Sequence, residues 1–563
     1  MKKETITAAE MKAIDINAAG LGMSPLQLME NAGHAVAETI AVYLNLNSDV
    51  LNEPNPSSLD TAVALGEAMT VLLFAGLGNN GGDAFVAARH LADLEIPSVV
   101  FLLGRKDNIK TKEARLNYAV LDQTDFVQTI EILNESDLCA ALKTYGKNIL
   151  AVVDGIFGTG FFGEPKGVEK KAIEYMNSIQ KKSNDVFVLA IDIPSGLSLV
   201  PDAANPPKRR LSDSVIVRAD ATVTFHKMKD YLKTPAASKF AGRILVKPIG
   251  IPANAERHVG PGDLTALHRR RADSRKGDSG KVLVIAGGPY AGAPALAGMA
   301  ALRAGCDIAT IAAPAGIYKS VASFAPELIV KKLPAESLSN TDLPNLIDLI
   351  EKHDTVLIGP GLGSDPAVLQ AASDLVPYFQ KAVIDADALR PEVLKVLKEK
   401  RPKTEIILTP HYNEFRRTAE FFGIELPSKR SNTDPAELEN DIAFISKELN
   451  AVILLKGPAD LICNPADGNI RYNTTGNAGM TVGGTGDILA GTAAGLLAEN
   501  NAFTAASCSA FICGQAGDLA FSKKGNSLIP SDMLETIPEI MLSAGGIRCD
   551  RTKKPASKSG KKK

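Results

Sequence analysis

A glycine-rich turn ending in an aspartate, GGTGD at residues 483–487, could carry out chemistry on a phosphoryl group. It leads into the apolar segment ILAGTAAGLL (488–497), which is typical of a helix. Glycines allow the backbone to approach a ligand closely, and the first turn of a helix offers unpaired N–H groups to an anion. Asp487 could accept a proton from a hydroxyl that attacks phosphorus. The segment therefore predicts phosphoryl transfer, and the alternative is a helix-capping aspartate.

Three polar loops in the first half of the chain each follow an apolar run. They are GLGNNGGD (76–83), DGIFGTGFFGE (154–164) and DIPSGL (192–197). Because parallel strands end at one edge of a sheet, the side chains of these loops are expected to converge there. Any one of these aspartates, taken alone, is more typical of a helix cap or a turn. Together, the polar side chains of the three loops offer oxygen ligands, which suit a hard cation and not zinc. The expected group is Asn80, Asp154, Asp192 and Ser195.

The second half repeats this arrangement with different motifs. Polar loops again follow apolar runs: GGPYAGAP (287–294), GPGLG (359–363), DADAL (385–389), TPHYNE (409–414) and KGPAD (456–460). Lys456 is placed to meet a nucleotide phosphate, or is a surface lysine whose stem covers apolar surface. His411 lies in a polar loop after a strand, which favours contact with a ligand, with a structural role as the alternative.

The elements that must position these loops are two successive parallel sheets. Continuous apolar runs separated by helical patterns are typical of strands that are buried on both faces. At 563 residues the chain exceeds the size at which single hydrophobic cores stop growing. We therefore predict an α/β protein of two three-layer α/β/α domains. The expected strands cover residues 71–75, 98–103, 149–153, 186–191 and 222–225, then 282–286, 309–312, 355–358, 382–385, 406–408 and 452–455.

Composition narrows the class of protein. Apolar residues make up 45%, charged residues 22%, and the net charge of -2 favours neither nucleic acid nor a membrane as partner. The six cysteines are scattered and form no CxxC pair, and no apolar run is long enough to span a bilayer, so a cytoplasmic protein is expected. The basic tail, 549–563, is typical of disorder, and residues 47–66 and 201–210 are expected to be surface insertions.

The motifs of the first half, together with TVTFHK (222–227), resemble those of the NAD(P)H-hydrate epimerase family, the YjeF N-terminal domain. The resemblance implies a Rossmann-like fold over residues 1–250 and interconversion of R and S hydrated NAD(P)H. It implies potassium bound by Asn80, Asp154 and Ser195. The acid and base are not assigned, and Asp192 and Asp83 are the candidates. The expected hydrate-binding residues are Asn79, Asn80, Gly81, Gly82, Asp83, Gly158, Thr159, Gly160, Phe161, Phe162, Gly163, Glu164 and Asp192.

The motifs of the second half resemble the ADP/ATP-dependent NAD(P)H-hydrate dehydratases. The resemblance implies a ribokinase-like fold over residues 256–548, with Asp487 as the catalytic base and Mg²⁺ accompanying ADP or ATP. The chain departs from the family pattern at Asp460, where threonine is usual. The implied hydrate contacts are Ala293, Gly363, His411 and Asp487. The implied nucleotide contacts are Lys456, Gly457, Pro458, Ala459, Asp460 and Gly486.

The resemblance implies a bifunctional repair enzyme acting on hydrated NADH and NADPH, and a homo-oligomer. Phosphorylation would turn the ring hydroxyl of the hydrate into a leaving group, which the ring nitrogen could then expel. One alternative is a ribokinase-like kinase of small molecules with an accessory dinucleotide-binding domain, which would release a stable phosphorylated product. Another is a first domain that only binds a partner or a dinucleotide. The motifs are compatible with ADP or ATP as the nucleotide and with hydrated NADH or NADPH as the substrate.

Overall fold

The computed structural model describes residues 4–46, 68–161, 163–182, 186–197, 215–399 and 404–543. The predicted insertions (47–66 and 201–210), the tail (549–563) and Phe162 lie outside this part of the chain. The chain divides into two compact units, Met1–Pro252 and Ala253–Lys563. No helix among the described residues is both long enough and apolar enough to cross a membrane.

The first unit contains a seven-stranded sheet in which all neighbouring strands are parallel, in the order β4-β3-β2-β5-β6-β7-β9. A separate parallel pair joins β1 to β8. The strands are β1 Thr5–Ile6, β2 Thr70–Ala75, β3 Ser98–Leu103, β4 Val127–Ile132, β5 Ile149–Gly155, β6 Phe187–Ile191, β7 Ala221–Phe225, β8 Met228–Lys229 and β9 Arg243–Lys247.

Helices cover both faces of this sheet, because alternate residues of β2 enter two different cores. Val71 and Leu73 pack with residues of α2, α3 and α4, whereas Leu72 and Phe74 pack with residues of α5 and α6. This arrangement is the predicted three-layer, Rossmann-like domain. The helices are α1 Ala8–Gly20, α2 Pro25–Leu46, α3 Asn79–Asp93, α4 Lys112–Leu121, α5 Glu135–Tyr145, α6 Gly167–Lys182 and α7 Pro235–Ala241.

The second unit contains a nine-stranded sheet in the order β12-β11-β10-β13-β14-β15-β16-β17-β18. Its first seven strands are parallel, and the last two pairings are antiparallel. The strands are β10 Lys281–Ile285, β11 Ile308–Ala313, β12 Ile329–Lys332, β13 Thr355–Ile358, β14 Lys381–Ile384, β15 Glu405–Leu408, β16 Val452–Leu455, β17 Asp460–Cys463 and β18 Ile470–Asn473.

Here too the strands feed two cores, one on each face. Val282 and Val284 of β10 pack with residues of α9, α16, α17 and α18, while Leu283 and Ile285 pack with residues of α11, α12, α13 and α15. The helices are α8 Ala253–Arg257, α9 Gly292–Arg303, α10 Tyr318–Ala322, α11 Leu343–Glu351, α12 Pro366–Leu375, α13 Pro391–Glu399, α14 Tyr412–Phe421, α15 Pro435–Leu449, α16 Thr485–Leu497, α17 Ala502–Lys524 and α18 Pro530–Ser543.

Helix α16, which carries Asp487, packs very closely against helix α9. A Cβ atom placed on Gly491 of α16 would lie 2.1 Å from the carbonyl oxygen of Ala297 in α9, and one placed on Gly495 would lie 2.7 Å from that of Ala301. Only glycine allows this approach of the two helices, so the small residues of α16 fix the position of its first turn.

Candidate active sites

Each sheet has a topological switch point, where the order of strands reverses and ligands of parallel sheets commonly bind. In the first unit it lies between β2 and β5, and in the second between β10 and β13. The loop after β2 leads into α3, and the loop after β5 begins at Asp154–Gly155 within the strand itself. The predicted polar loops therefore surround both switch points.

A fully buried polar contact of the first unit joins Asp154 to Ser195. The Ser195 N–H donates to Asp154 Oδ2 (2.7 Å), and the Ser195 hydroxyl donates to Oδ1 (2.6 Å). Ser195 Oγ also accepts from the Phe157 N–H (2.8 Å), which fastens the loop after β5. Burial raises the pKa of Asp154 to about 6, against the hydrogen bonds of Ser195 and Ile156, which lower it.

This pair has the donors that a monovalent cation needs. Within the described residues, no lysine or arginine acts on the pKa of Asp154, so its carboxylate lacks a cationic partner. Asn80 lies against the same loop, where a Cβ atom on Gly158 would be 3.3 Å from its Oδ1, and its buried amide nitrogen has no hydrogen-bond partner. Oxygens of Asn80, Asp154 and Ser195 fit a hard cation such as potassium. No cluster of three or more His, Cys, Asp or Glu side chains suited to a metal occurs among the described residues.

Asp192 belongs to a second group, which contains a buried lysine. Its φ of +64° is rare for a residue with a side chain, and it brings the carboxylate toward β7 and β8. Asp192 Oδ1 lies 3.0 Å from Lys229 Nζ and accepts from the Thr224 hydroxyl at 3.2 Å. The Lys229 side chain is only 2% exposed, and its Nζ also donates to the Phe225 carbonyl (2.9 Å). Lys229 thus holds Asp192 in one position.

Asp83, in the first turns of α3, faces this group without a partner of its own. It is 9% exposed, and its carboxylate makes no hydrogen bond within the described part of the chain. Burial raises the pKa of Asp83 well above the usual range, Asp192 and Asp15 raise it further, and Lys229 partly offsets them. Burial and the neighbouring carboxylates therefore favour the protonated form of Asp83, while Asp192 has a cationic partner in Lys229.

The glycines of the loop after β2 divide into two sets. A Cβ atom on Gly81 would lie 1.9 Å from the Gly76 carbonyl oxygen, and one on Gly82 would lie 2.6 Å from the Met29 side chain, so both glycines serve packing. A Cβ atom on Gly78 would meet nothing within 4 Å, and Asn79 is exposed. The ligand-accessible part of this turn is therefore Gly78–Asn79.

The loop after β5 is more open. Gly160, Gly163 and Glu164 are exposed, while the rings of Phe157 and Phe161 stack with centroids 3.8 Å apart. The predicted contact Phe162 lies outside the described residues. Because Phe157 is bonded to Ser195, this stack ties the exposed loop to the buried Asp154–Ser195 pair.

In the second unit, Asp487 lies in the first turn of α16, which begins after Gly484 at φ +103°. A Cβ atom on Gly486 would lie 3.5 Å from Lys456 Nζ, so the ammonium group stands next to this helix terminus. Burial raises the pKa of Asp487 to about 7, with Asp385 and Asp387 also raising it and Lys456 lowering it. Asp487 is thus a base whose pKa lies close to neutral.

Lys456 is held by the strand-end carboxylate of Asp385. Lys456 Nζ lies 2.9 Å from Asp385 Oδ1, which also accepts from the Thr409 hydroxyl at 2.8 Å. Burial lowers the pKa of Lys456, but Asp385, Glu414 and Asp487 outweigh it and the pKa is raised. Lys456 therefore remains charged while it faces the candidate phosphoryl site.

The segment from Lys456 to Asp460 is closed by its own last residue. Asp460 Oδ1 accepts from the Gly457 N–H and Oδ2 accepts from the Asn473 amide, both at 2.9 Å. Arg430 Nη2 donates to the Ala459 carbonyl (2.7 Å). The Asp460 carboxylate thus stabilises the conformation of this loop.

The remaining predicted contacts lie on neighbouring loops. His411 caps α14: its Nδ1 accepts from the N–H groups of Asn413 and Glu414 at 3.1 and 3.2 Å, yet its side chain is 52% exposed and its backbone is bridged to Lys456. The Gly363 N–H donates to Asp387 Oδ2 (2.9 Å). Ala293 lies in the first turn of α9, after β10. His411 can therefore both cap α14 and contact a ligand with its exposed side chain.

Comparison with known proteins agrees with this geometry. A family model described as NAD(P)H-hydrate dehydratase matches residues 282–539, and one described as YjeF-related protein N-terminus matches residues 25–231. The bifunctional NAD(P)H-hydrate repair enzyme Nnr of Methanothermobacter thermautotrophicus is 39% identical over 547 residues, which cover 94% of each chain. The Nnr of Archaeoglobus fulgidus is 37% identical over 540 residues, 96% of this chain and 99% of that protein. The chain belongs to the family of bifunctional NAD(P)H-hydrate repair enzymes.

A solved structure is also similar to the second half. It is an ADP/ATP-dependent NAD(P)H-hydrate dehydratase from Bacillus subtilis, co-crystallised with ATP and Mg²⁺, with 27% identity and a TM-score of 0.43 over 51% of this chain and 98% of that chain. The predicted family, the two-domain α/β class and the repair function are confirmed by the relatives and by the two sheets.

Several residues of these repair sites were not predicted from the sequence. Lys229, Asp15 and Tyr231 of the first unit and Arg430 of the second have no motif around them that indicates a site. Asp385 lies in a loop that was noted, but no role was predicted for it. The signal that could have found Asp385 is its position after a buried strand, next in the sheet to the strand that precedes His411.

Proposed function

We propose that this chain repairs hydrated NADH and NADPH, with epimerisation in the first unit and nucleotide-dependent dehydration in the second. The observation that carries the proposal is the contact of Lys456 with the first turn of α16, beside Asp487. It combines a positive charge for phosphate, a base with a pKa near neutrality and a helix terminus at the mouth of a parallel sheet.

In the dehydration step, Asp487 accepts the proton of the hydrate hydroxyl as its oxygen attacks the terminal phosphorus of ADP or ATP. An O–P bond forms, and the bond from that phosphorus to the leaving nucleotide breaks. The ring nitrogen lone pair then expels phosphate, and loss of a proton from the neighbouring ring carbon restores the dihydropyridine. Asp487 thus activates the hydrate hydroxyl, whose oxygen leaves with the phosphate within the same catalytic cycle.

The surrounding groups bind and orient the two substrates. N–H groups at Gly483–Gly486 and the Lys456 ammonium stabilise the charge of the transferring phosphoryl group. The loop from Lys456 to Asp460 contacts the nucleotide, and Ala293, Gly363 and His411 contact the hydrate. Mg²⁺ bound to the nucleotide supplies further charge neutralisation.

In the epimerisation step, Asp83 is the acid and Asp192 is the base. Asp83 donates its proton to the hydroxyl of the hydrate, the C–O bond breaks, and the ring nitrogen lone pair forms a C=N⁺ bond. Water then adds to the opposite face, and Asp192 accepts its proton. The assignment rests on the raised pKa of Asp83 and on the Lys229 ammonium 3.0 Å from Asp192.

Potassium is the cation assigned to Asn80, Asp154 and Ser195. When bound, it supplies the positive charge that the Asp154 carboxylate lacks and fixes the loop that contacts the hydrate through residues Gly158–Glu164. The uncompensated burial of Asp154 and the position of Asn80 Oδ1 against the same loop support this assignment. We further propose a homo-oligomer of the cytoplasm, without nucleic-acid or membrane partners, which a mass measurement in solution would test for its oligomeric part.

The dehydratase proposal is tested by mixing purified protein with hydrated NADH and either ADP or ATP. We expect the absorbance of reduced nicotinamide to return, with release of phosphate. Accumulation of a stable phosphorylated product would instead identify a small-molecule kinase. Absence of recovery with either nucleotide would reject the dehydratase assignment.

The epimerase proposal is tested separately by chromatography of the R and S hydrates. Asn80→Ala and Asp154→Ala are expected to slow interconversion strongly, and titration with KCl should accelerate the wild-type protein but not these variants. Unchanged interconversion in both variants would indicate that the first unit is a binding module only.

A further inference from the structure

The N-terminal helix α1 brings one more carboxylate to the epimerisation site. β1 pairs in parallel with β8, with Ile6 opposite Lys229 in the register. Thr7 then starts α1 with a capping box, in which Glu10 is the reciprocal partner. This pairing fixes α1 beside the strand that carries the buried lysine, although α1 lies before the region matched by the first family model.

Asp15 lies on the inward face of α1. Helical periodicity places it on the same face as Met11 and Ala18, four residues before and three after, and both are buried. A carboxylate at such a position requires polar surroundings. No hydrogen bond or ion pair to its carboxylate occurs within the described residues, and its side chain is half-buried.

The polar surroundings of Asp15 are the groups of the proposed reaction. Lys229 and Asp192 both act electrostatically on Asp15, and Asp15 acts on Asp83. Burial raises the pKa of Asp15 to about 6, with Lys229 lowering it and Asp192 raising it. Tyr231 contributes a buried hydroxyl that has no hydrogen-bond partner among the described residues, and its pKa is raised by burial and by Asp192. Three carboxylates therefore share one lysine, and only Asp192 is paired with it directly.

Epimerisation leaves two of these carboxylates in the wrong protonation state. After one turnover Asp83 has lost a proton to the departing water, and Asp192 has gained one from the entering water. Before the next turnover in the same direction, a proton must leave Asp192 and another must reach Asp83. Asp83 is buried and makes no hydrogen bond to other described residues, so it needs a neighbour with access to solvent.

We propose that Asp15 is a proton-relay residue, which accepts a proton from Asp192 and returns one to Asp83 after each turnover. This inference rests on the proposed roles of Asp83 and Asp192 in epimerisation. Asp15 is suited to it because it is unpaired, half-buried and electrostatically coupled to both carboxylates. A group with a pKa near neutrality can both accept and donate a proton.

The test uses full-length protein and measures R-to-S interconversion at saturating substrate and increasing buffer concentration, at constant ionic strength and KCl. Asp15→Asn is expected to lower the rate about tenfold or more at low buffer, which is less than the roughly 10²–10⁴-fold contribution of a group that transfers a proton to the reacting atoms. Rising imidazole or phosphate should restore much of this loss, because a small buffer can carry the proton. The wild type and Asp15→Glu should depend little on buffer.

Glu10→Gln is the matched control on the same helix, since Glu10 serves the helix cap and does not face the reaction. Any loss in this variant should not respond to buffer. A wild-type rate in Asp15→Asn, or a loss that buffer does not restore, would overturn the relay. Asp83→Asn and Asp192→Asn separate the two proposals: near-wild-type rates in both would reject the acid–base assignment itself, whereas inactivity of both with an unaffected Asp15→Asn rejects only the relay.

Discussion

Nζ of Lys456 lies 2.9 Å from Oδ1 of Asp385, and the same ammonium group stands beside the first turn of the helix that carries Asp487. Asp385 and Lys456 act on Asp487 in opposite directions. Asp385 raises the pKa of Asp487, and Lys456 lowers it. The ion pair therefore positions the Lys456 ammonium group toward the phosphate. It also influences the pH at which Asp487 is ionised and can act as a base.

Asp487→Asn should reduce dehydration by about 10²–10⁴-fold, because an amide cannot accept the hydroxyl proton. Epimerisation by the same protein should remain at the wild-type rate. The measurement is nucleotide-dependent recovery of reduced-nicotinamide absorbance, together with chromatography of the two hydrates. Asp348→Asn is the control, because Asp348 is exposed and its ion pair among the described residues is with Lys352. Retention of most dehydratase activity in Asp487→Asn would remove Asp487 from the role of base.

The pH profile of kcat/KM for dehydration should fall on its acid side near pH 7. Asp487 must be ionised to act, and its pKa of about 7 means that protonation at lower pH removes the base. Asp385→Asn should move this acid limb to lower pH, and Lys456→Met should move it to higher pH. If the acid limb moved in the same direction in both variants, the charges of the ion pair would not be acting on Asp487.

Asp487→Asn should also stabilise the protein above neutral pH. The pKa of Asp487 rises from 3.8 to about 7 on folding, so the carboxyl group costs no stability below about pH 4, where it is protonated in both states. The cost grows as the pH rises through the folded pKa of about 7, because the unfolded state ionises more readily. At pH 8 the variant should gain up to about 4 kcal/mol in free energy of unfolding, and the gain should vanish near pH 4. Thermal melts across this range are the measurement, with Asp348→Asn again as control. A gain in the free energy of unfolding that is the same at pH 4 and at pH 8 would not come from the ionisation of Asp487.

The strands of the sheet centres could be predicted from the sequence, because strands buried on both faces read as continuous apolar runs. β3, β13 and β16 begin and end where predicted. The edge strand β4, with the sequence VQTIEI, has polar residues between its apolar ones and is mostly half-buried, so it contains no such run. Strand β18 (IRYN) also lacks a continuous apolar run, and the apolar run of β17 (DLIC) is only three residues long, so neither antiparallel strand was predicted. Strand β9 lies just before the predicted end of the first domain at residue 250 and was not predicted either.

The candidate sites could be predicted only where a loop follows a strand. Asn80, Asp154, Ser195 and Asp487 lie at such positions. Asp15 and Lys229 are brought together by the pairing of β1 with β8, between segments more than 200 residues apart, and no local pattern encodes that pairing.

The two kinds of glycine after β2 should respond differently to alanine. Gly81→Ala places a methyl group 1.9 Å from the Gly76 carbonyl oxygen, and this overpacking should cost about 1–3 kcal/mol or more of stability. Gly78→Ala meets nothing within 4 Å at a negative φ, so its melting temperature should stay close to wild type while epimerisation slows. Thermal melts and the R-to-S assay on both variants are the measurements. An equal loss of stability in the two would contradict the division of the glycines.

The nucleotide loop of the second unit depends on Arg430, which packs against a glycine. A Cβ atom on Gly457 would lie 1.7 Å from Arg430 Nη1, and Arg430 Nη2 donates to the Ala459 carbonyl. Gly457→Ala must therefore displace either the guanidinium or the loop, and we expect the KM for ADP or ATP to rise several-fold with epimerisation unchanged.

Arg430→Ala and the double variant Arg430→Ala/Gly457→Ala complete a double-mutant cycle with Gly457→Ala. Removal of the guanidinium leaves room for the new methyl group, so the double variant should bind nucleotide better than the sum of the single effects predicts, by about 0.5–3 kcal/mol. Strictly additive effects on nucleotide KM would mean that Gly457 acts through direct contact with the nucleotide and not through the guanidinium beneath it.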